Sequence, residues 1–234
     1  MQNHVSDTGL RRKYRVRVGL FLLGVLLLLV VLDLGLRTVN TLNQLEIVEL
    51  ARDRWQHPSE ILGALNLQSG DTVADLGAGA GYFTLKLSPL VGKSGKVLAI
   101  DVRTFPLLFV WIRTLRRGEY NVKLIQGEPE NSRLPDRVNA VLVVNTYHEL
   151  TARRKILDQV SRSLVPGGRL VIVDRGPPES GRRSAAPEDH ELPLSSAEQD
   201  VSQAGFEVLE RNEHFVQPPT DSAWWMIVAR KRGW

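Results

Sequence analysis

Thr72-Val73-Ala74-Asp75-Leu76-Gly77-Ala78-Gly79-Ala80-Gly81-Tyr82-Phe83-Thr84 runs an apolar strand into a carboxylate and then into three glycines at alternate positions. Strand, glycine turn and helix start in this order bring bare backbone N–H groups to a helix N-terminus. There the polar tail of a ligand approaches without meeting a Cβ. A dinucleotide fingerprint spaces its glycines G-x-G-x-x-G, and counted from Gly77 its third glycine falls on Tyr82, so the chain departs from that pattern. The pattern present is D-x-G-x-G-x-G. A tight structural turn and a dinucleotide site of altered spacing are the alternatives this stretch leaves open.

Outward from the glycine turn, apolar strands alternate with helical segments. The pattern predicts strands at Thr72–Leu76, Lys96–Asp101, 121–126, 140–145, 169–174, 206–210 and 224–229. Helices are predicted at 83–90, 105–117, 152–164 and 195–204, with Pro166-Gly167-Gly168 as the stop after the third. Such alternation specifies an α/β domain with a parallel sheet covered on both faces. Asp101 closes the second strand about 20 residues beyond the glycine turn, a position from which a carboxylate accepts both hydroxyls of a ribose.

With these motifs the chain, from about Trp55 to its end, resembles the class I S-adenosylmethionine-dependent methyltransferases. The resemblance implies a seven-stranded, mostly parallel, doubly wound Rossmann-like sheet whose last strand inserts antiparallel between the fifth and the sixth. It implies S-adenosyl-L-methionine as cofactor. It puts the turn of Gly77, Ala78, Gly79, Gly81 and Tyr82 against the methionine portion, with Asp75 facing the ammonium group. It also assigns Asp101 and Val102 to the ribose side, Gly127 and Glu128 to the adenine side, and Asn145, ending the fourth strand, to the same site. Pro129 departs from the family, which usually carries a residue with a free N–H after that acid.

The fourth strand ends in Val143-Val144-Asn145-Thr146-Tyr147-His148-Glu149-Leu150, on the side expected to receive the methyl acceptor. Displacement at a sulfonium methyl needs alignment of the nucleophile and, where the nucleophile carries a proton, a base. Histidine is the residue type that titrates nearest neutrality, which makes His148 the candidate base; a helix cap or a loop hydrogen bond is its structural alternative. Tyr147 is a candidate for shaping the acceptor pocket, and Glu149 for orienting His148 or adding charge. Tyr147-His148-Glu149, with Arg133-Leu134-Pro135 and Pro166-Gly167-Gly168-Arg169-Leu170, resembles a subset of bacterial methyltransferases that are exported or membrane-attached. Asp189-His190-Glu191-Leu192 precedes the last helix and is expected to fold over the cofactor mouth. Nothing fixes the spacing of these acids and histidines, so no metal site is expected.

Composition narrows the function. The 234 residues, 43% hydrophobic, suffice for one sizeable core plus an appendage. No cysteine is present, which excludes disulfides, thiolate metal sites, cytosine C5 methylation and thiol-bound arsenic chemistry. The fourth strand lacks the Asn/Asp-Pro-Pro-aromatic signature of enzymes that act on adenine or on glutamine amides. Open acceptors are a soluble metabolite, a quinone-like ring, a lipid or a protein, methylated on oxygen, nitrogen or carbon. Two other classes stay in view: a non-catalytic S-adenosylmethionine-binding module of a membrane complex, and a nucleotide-dependent oxidoreductase.

The N-terminal stretch 18–32 is unbroken apolar sequence, preceded by Arg11, Arg12, Lys13, Arg15 and Arg17 and followed by Asp33 and leucines through Leu36. It reads as a basic arm, 1–17, and a transmembrane anchor, 18–36, at the short end of the roughly 17 to 25 residues a spanning helix needs. A signal peptide fits the charge and the apolar run too, but no small-x-small cleavage pair follows, which favours an uncleaved anchor. Residues 37–57 carry Val39, Leu42, Leu45, Val48 and Leu50 at near-helical spacing, as an amphipathic connector ahead of a methyltransferase domain, 58–234. The five basic residues of the arm against Asp7 account for the whole formal charge of +4, so the remainder is balanced and no nucleic-acid partner is expected. The positive-inside rule keeps the N-terminus cytoplasmic and sends the domain across the membrane, whereas the cofactor is a cytoplasmic compound; the side of the domain stays open, as does the oligomeric state. The segment Phe105-Pro106-Leu107-Leu108-Phe109-Val110-Trp111-Ile112 is greasier than the corresponding helix of the family. It is expected either under the connector or at a bilayer interface.

Overall fold

The computed structural model of the chain describes residues 5–177, 191–218 and 223–233, with side chains from residue 13 onward. The chain divides into two compact units, Met1–Leu50 and Ala51–Trp234. One helix, α1 (Val5–Trp55), forms the described part of the first unit and ends a turn inside the second. No break separates an anchor from a connector, although the sequence reading divided them at residue 37. The polar residues at that seam are satisfied inside the helix. Asp33 pairs with Arg37 one turn later at 2.8 Å, and the Thr38 and Thr41 hydroxyls donate to the carbonyls of Leu34 and Arg37 at 2.8 and 2.9 Å. The apolar side chains from Leu20 to Leu36 are exposed. The side chains of Arg11 and Arg12 lie outside the described residues, as do Asp189 and His190.

α1 stops where His57 takes a left-handed φ of 49° before Pro58, a residue that disfavours a helical neighbour on its N-terminal side. Pro58 then opens the short α2 (Pro58–Ala64), which the sequence reading did not separate. The sheet comprises β1 (Thr72–Leu76), β2 (Lys96–Asp101), β3 (Val122–Gln126), β4 (Val138–Val144), β5 (Leu164–Arg175), β6 (Phe206–Val216) and β7 (Trp224–Lys231). Between the strands lie α3 (Thr84–Val91), α4 (Thr104–Arg117), a 3₁₀ turn (Tyr147–Glu149), α5 (Arg153–Ser163) and α6 (Leu194–Gln203). The strand order is β3-β2-β1-β4-β5-β7-β6, with β7 antiparallel to both β5 and β6. This is the seven-stranded order that the resemblance implied. Successive strands are added outward in one direction from β1 and in the other from β4, and at this switch point the carboxyl ends of the parallel strands open the cleft where ligands of such sheets bind.

Alternating side chains divide the core between the two faces of the sheet. Leu98, Val141, Ile172 and Trp225 face α5 and α6, whereas Val97, Leu142, Val173 and Trp224 face α2 and α3. The neighbouring tryptophans therefore serve opposite faces. β5 begins earlier than the reading placed it: Leu164 pairs with Val138 and the next register is Arg169 with Ala140, so Pro166-Gly167-Gly168 forms a bulge within the strand. A Cβ on Gly168 would come within 2.9 Å of the Asn139 carbonyl oxygen, which explains the glycine. β6 also runs on to Val216, through Arg211-Asn212-Glu213-His214, because pairing with β7 holds polar residues that no apolar pattern marks.

Candidate functional site

The glycine turn between β1 and α3 is held from three sides. The Gly77 and Ala78 N–H groups both donate to the Ile100 carbonyl, at 2.8 and 2.9 Å. The Gly79 N–H donates to Asp101 Oδ2 at 2.9 Å. From α4, the buried Arg113 donates to the Ala80 carbonyl at 2.6 Å. Gly77 has a φ of +84°, and a Cβ there would sit 2.2 Å from Thr146 Oγ1, so only glycine lets the loop after β4 close onto the turn. Gly79, at φ +52°, has nothing within 4 Å of the position a Cβ would take, so the turn leaves open space on that side. Gly81 donates to the Ala78 carbonyl and faces Val110.

Two buried carboxylates flank this open side. Asp75 accepts from the Thr84 hydroxyl at 2.6 Å, and its burial raises its pKa to about 6 against the opposing pull of the Thr84 hydrogen bonds. Asp101 uses one oxygen for Gly79 and the other for the Arg103 N–H at 2.8 Å, with lone pairs to spare for further donors. A cationic group suits the first carboxylate, and vicinal hydroxyls suit the second. Val102 is exposed beside Asp101, and the Gly127 N–H donates to the Asp101 carbonyl at 3.0 Å. Glu128 pairs with Arg133, and its backbone closes a turn with Asn131 through reciprocal bonds of 2.7 and 3.0 Å; Pro129 sits inside that turn, where no N–H is called on. Asn145 adopts φ +52° and accepts from Arg175 Nε at 2.7 Å. The Tyr82 hydroxyl donates to Asp53 at 2.6 Å and its ring carries the Arg52 guanidinium 4.0 Å from its centroid, so this side chain braces the outer side of the turn.

The 3₁₀ turn after β4 builds the second half. His148 Nδ1 lies 2.6 Å from Asp174 Oδ1, and the His148 backbone N–H donates to the other oxygen of the same carboxylate at 2.9 Å. Both side chains are almost wholly buried, at 3% and 0% exposure, so the carboxylate fixes the ring's rotation and places the proton on Nδ1. The other ring nitrogen, Nε2, lies 3.7 Å from Glu149 Oε1. Tyr147 is fully buried in the core, its ring edge-on to Trp225 and its hydroxyl donating to Asp200 at 3.0 Å. Burial and the Asp200 charge drive its pKa upward, so it is a neutral strut. Leu192 packs on the core, its carbonyl accepting from Trp225 Nε1 at 2.6 Å. Among the described residues no cluster of three metal-ligating side chains occurs.

A family model described as a methyltransferase domain matches residues 67–213, the stretch from before β1 into β6. The chain belongs to the methyltransferase domain family. With the seven-stranded order and the two-carboxylate glycine turn, it is a class I S-adenosylmethionine-dependent methyltransferase. The ubiquinone/menaquinone biosynthesis C-methyltransferase UbiE of Azotobacter vinelandii is 32% identical over 116 residues, 49% of this chain and 46% of that protein. The protein of the same name from Pseudomonas paraeruginosa is 30% identical over 51% of this chain and 48% of its own length. The chain thus spans about half the length of the curated relatives it matches. A crystal structure of a SAM-dependent methyltransferase from Aquifex aeolicus superposes with a TM-score of 0.64 and 28% identity, covering 74% of this chain and 89% of the other. The N-methyltransferase NodS of Bradyrhizobium japonicum shares the fold, with a TM-score of 0.61 and 18% identity over 76% and 95% of the two chains.

In the methyltransferase, sequence reasoning missed Asp174, Arg113 and the contact of Thr146 with Gly77. Asp174 carried the same signal as Asp101, a carboxylate at the carboxyl end of a parallel strand. Arg113 carried a weaker one, a lone charge on the apolar face of its helix. Thr146 carried none, because its fit on Gly77 depends on how β4 ends relative to β1.

Proposed function

We propose that the methyltransferase is held at a membrane by α1 and methylates a small, quinone-like or lipid-like acceptor whose proton His148 removes. The observation that carries this reading is the buried His148–Asp174 pair at the carboxyl edge of the sheet, beside the loop that closes on Gly77. In it, Asp75 holds the ammonium group, the turn from Gly77 to Gly81 lies under the methionine portion, and Asp101 receives the ribose hydroxyls. Val102 lies beside Asp101, Gly127 and Glu128 border the adenine, and Asn145 closes the site from β4.

S-adenosylmethionine supplies an electrophilic methyl group on a sulfonium, so the protein's work is alignment and proton removal. With the cofactor bound, His148 Nε2 would take the acceptor's proton as the acceptor atom bonds to the methyl carbon and the methyl–sulfur bond breaks, its electron pair staying on the sulfur of the departing thioether, and Asp174 would stabilise the resulting imidazolium through the bond to Nδ1. The proton then leaves to water. Glu149, half-exposed with Oε1 3.7 Å from Nε2, adds negative charge beside the ring. The names of the relatives support a ring acceptor, and the long exposed apolar helix, which contains one stretch able by length and composition to cross a membrane, supports an anchor.

The test uses the full chain in detergent micelles with a panel of prenylated quinols and water-soluble phenols. His148→Ala should keep its affinity for S-adenosylhomocysteine while the methylation rate falls by about 10²- to 10⁴-fold. Asp174→Asn should lower the rate and shift its pH profile. Rates within a few-fold of the parent for both variants would make the pair structural.

A further inference from the structure

α4 has two unlike sides. Leu107 and Val110 pack on Ala78 and Ala99, and Arg113 reaches under the glycine turn. On the other side Phe105 is 69% exposed, Trp111 and Leu115 are 50% exposed and Leu108 is 46% exposed. Their spacing of three and four residues makes one continuous apolar stripe along the helix. Soluble monomers rarely leave such a stripe in water.

The charge around the stripe says what covers it. α4 carries no acidic residue, Arg103 precedes it, and Arg116 and Arg117 fill its last turn. The nearest acid in sequence, Glu119, is partly buried and turned to Ser88, Arg117 and Arg113. Arg103 stands 3.6 Å from Asp101, and Lys123 and Tyr120 lie exposed beyond the helix. Apolar side chains flanked by arginines match an anionic phospholipid surface, with the stripe in the acyl boundary, Trp111 at headgroup depth and the arginines at the phosphates. A second copy of the same face would bring these arginines together. We propose that α4 is a docking face for anionic phospholipid, laying the domain onto the bilayer surface. The proposal rests on the reading of α1 as an anchor. α4 begins three residues beyond Asp101, so docking sets the carboxyl end of β2 at the headgroups, next to the acyl region that dissolves an apolar acceptor.

The absence of cysteine lets single cysteines carry nitroxide labels without background. Phe105→Cys and Trp111→Cys are labelled in the full chain, in nanodiscs of phosphatidylcholine with phosphatidylglycerol, against Arg154→Cys on α5 as the solvent-facing control. Labels at 105 and 111 should relax faster with oxygen than with an aqueous nickel chelate, and the label at 154 the reverse. Arg116→Gln and Arg117→Gln should each shift the docking equilibrium by about fivefold toward the free state, and so should removal of phosphatidylglycerol. Disc-bound protein whose labels at 105 and 111 behave like that at 154 overturns the proposal. So do labels shielded from both reagents and dipolar-coupled between copies, which would make the stripe a contact between two chains. Failure of the chain to comigrate with the disc sinks the anchor instead, and flotation of the free protein with anionic vesicles, with and without Phe105→Ser and Trp111→Ser, then decides α4: co-flotation lost in the double variant supports it, and no co-flotation overturns it.

Discussion

Asp75 shows how one buried group ties the fold to its ligand. Its folded pKa of about 6 stands above the value of an exposed aspartate, so the protonated form is the one the ligand-free fold prefers. Its contribution to stability is therefore fully present below about pH 4 and is lost as the pH rises through about 6. Binding of a cationic amine runs the opposite way, because it needs the ionised carboxylate. Affinity for S-adenosylhomocysteine, measured by calorimetry, should fall by about tenfold per pH unit below about 6, and the fall should vanish in Asp75→Asn, which binds weakly throughout. A flat profile in the parent protein would take Asp75 away from the ammonium group. Asp75 and Asp101 were legible in the sequence because the first adjoins the glycines and the second ends the next strand. The acid that orients His148 was not, because Asp174 lies 26 residues away and its distance from the histidine depends on how β5 pairs with β4.

At the scale of elements, the last turn of α1 belongs to the catalytic unit. Trp55 meets Trp224 of β7 edge to face, with ring centroids 5.3 Å apart. Asp53 accepts from Tyr82 at 2.6 Å and pairs with Lys86 of α3 at 2.8 Å. These contacts join a helix end, a sheet strand and the residue after the glycine turn. A double-mutant cycle with Trp55→Leu and Trp224→Leu, followed by circular dichroism in urea, should give a coupling of about 0.5–1.5 kcal/mol. A coupling near zero would mean that the two rings touch without stabilising each other. The apolar spacing of 37–57 announced a helix, yet not its fusion with the segment before it. Helical periodicity is continuous through both, and only the absence of a breaker, read together with the Asp33–Arg37 pair, makes them one rod.

At the scale of the whole molecule, the anchor proposed for α1 carries a prediction of which side of a membrane the catalytic unit would face. Lys13, Arg15 and Arg17 precede the apolar run, whereas Arg37, the first basic residue after it, is paired with Asp33. For an anchored chain the charge rule predicts a cytoplasmic N-terminus and a C-terminus carried across. A C-terminal tag should be digested by external protease in intact cells or spheroplasts. A tag cut only after lysis would assign both ends to the cytoplasm and make the apolar run enter and leave on one side. The sequence by itself determined the α/β class, the positions of most strands, the glycine turn with its two acids and the apolar N-terminal helix. Each of these is written in a local period or spacing, which a chain expresses without reference to its distant parts. The tertiary structure alone decided that Thr146 closes on Gly77, that Arg113 props Ala80 from 33 residues away, that Asp174 orients His148, and that Tyr147 turns into the core. Those contacts exist because strand order brings remote segments to one edge of the sheet, and strand order is settled by the packing of both faces at once.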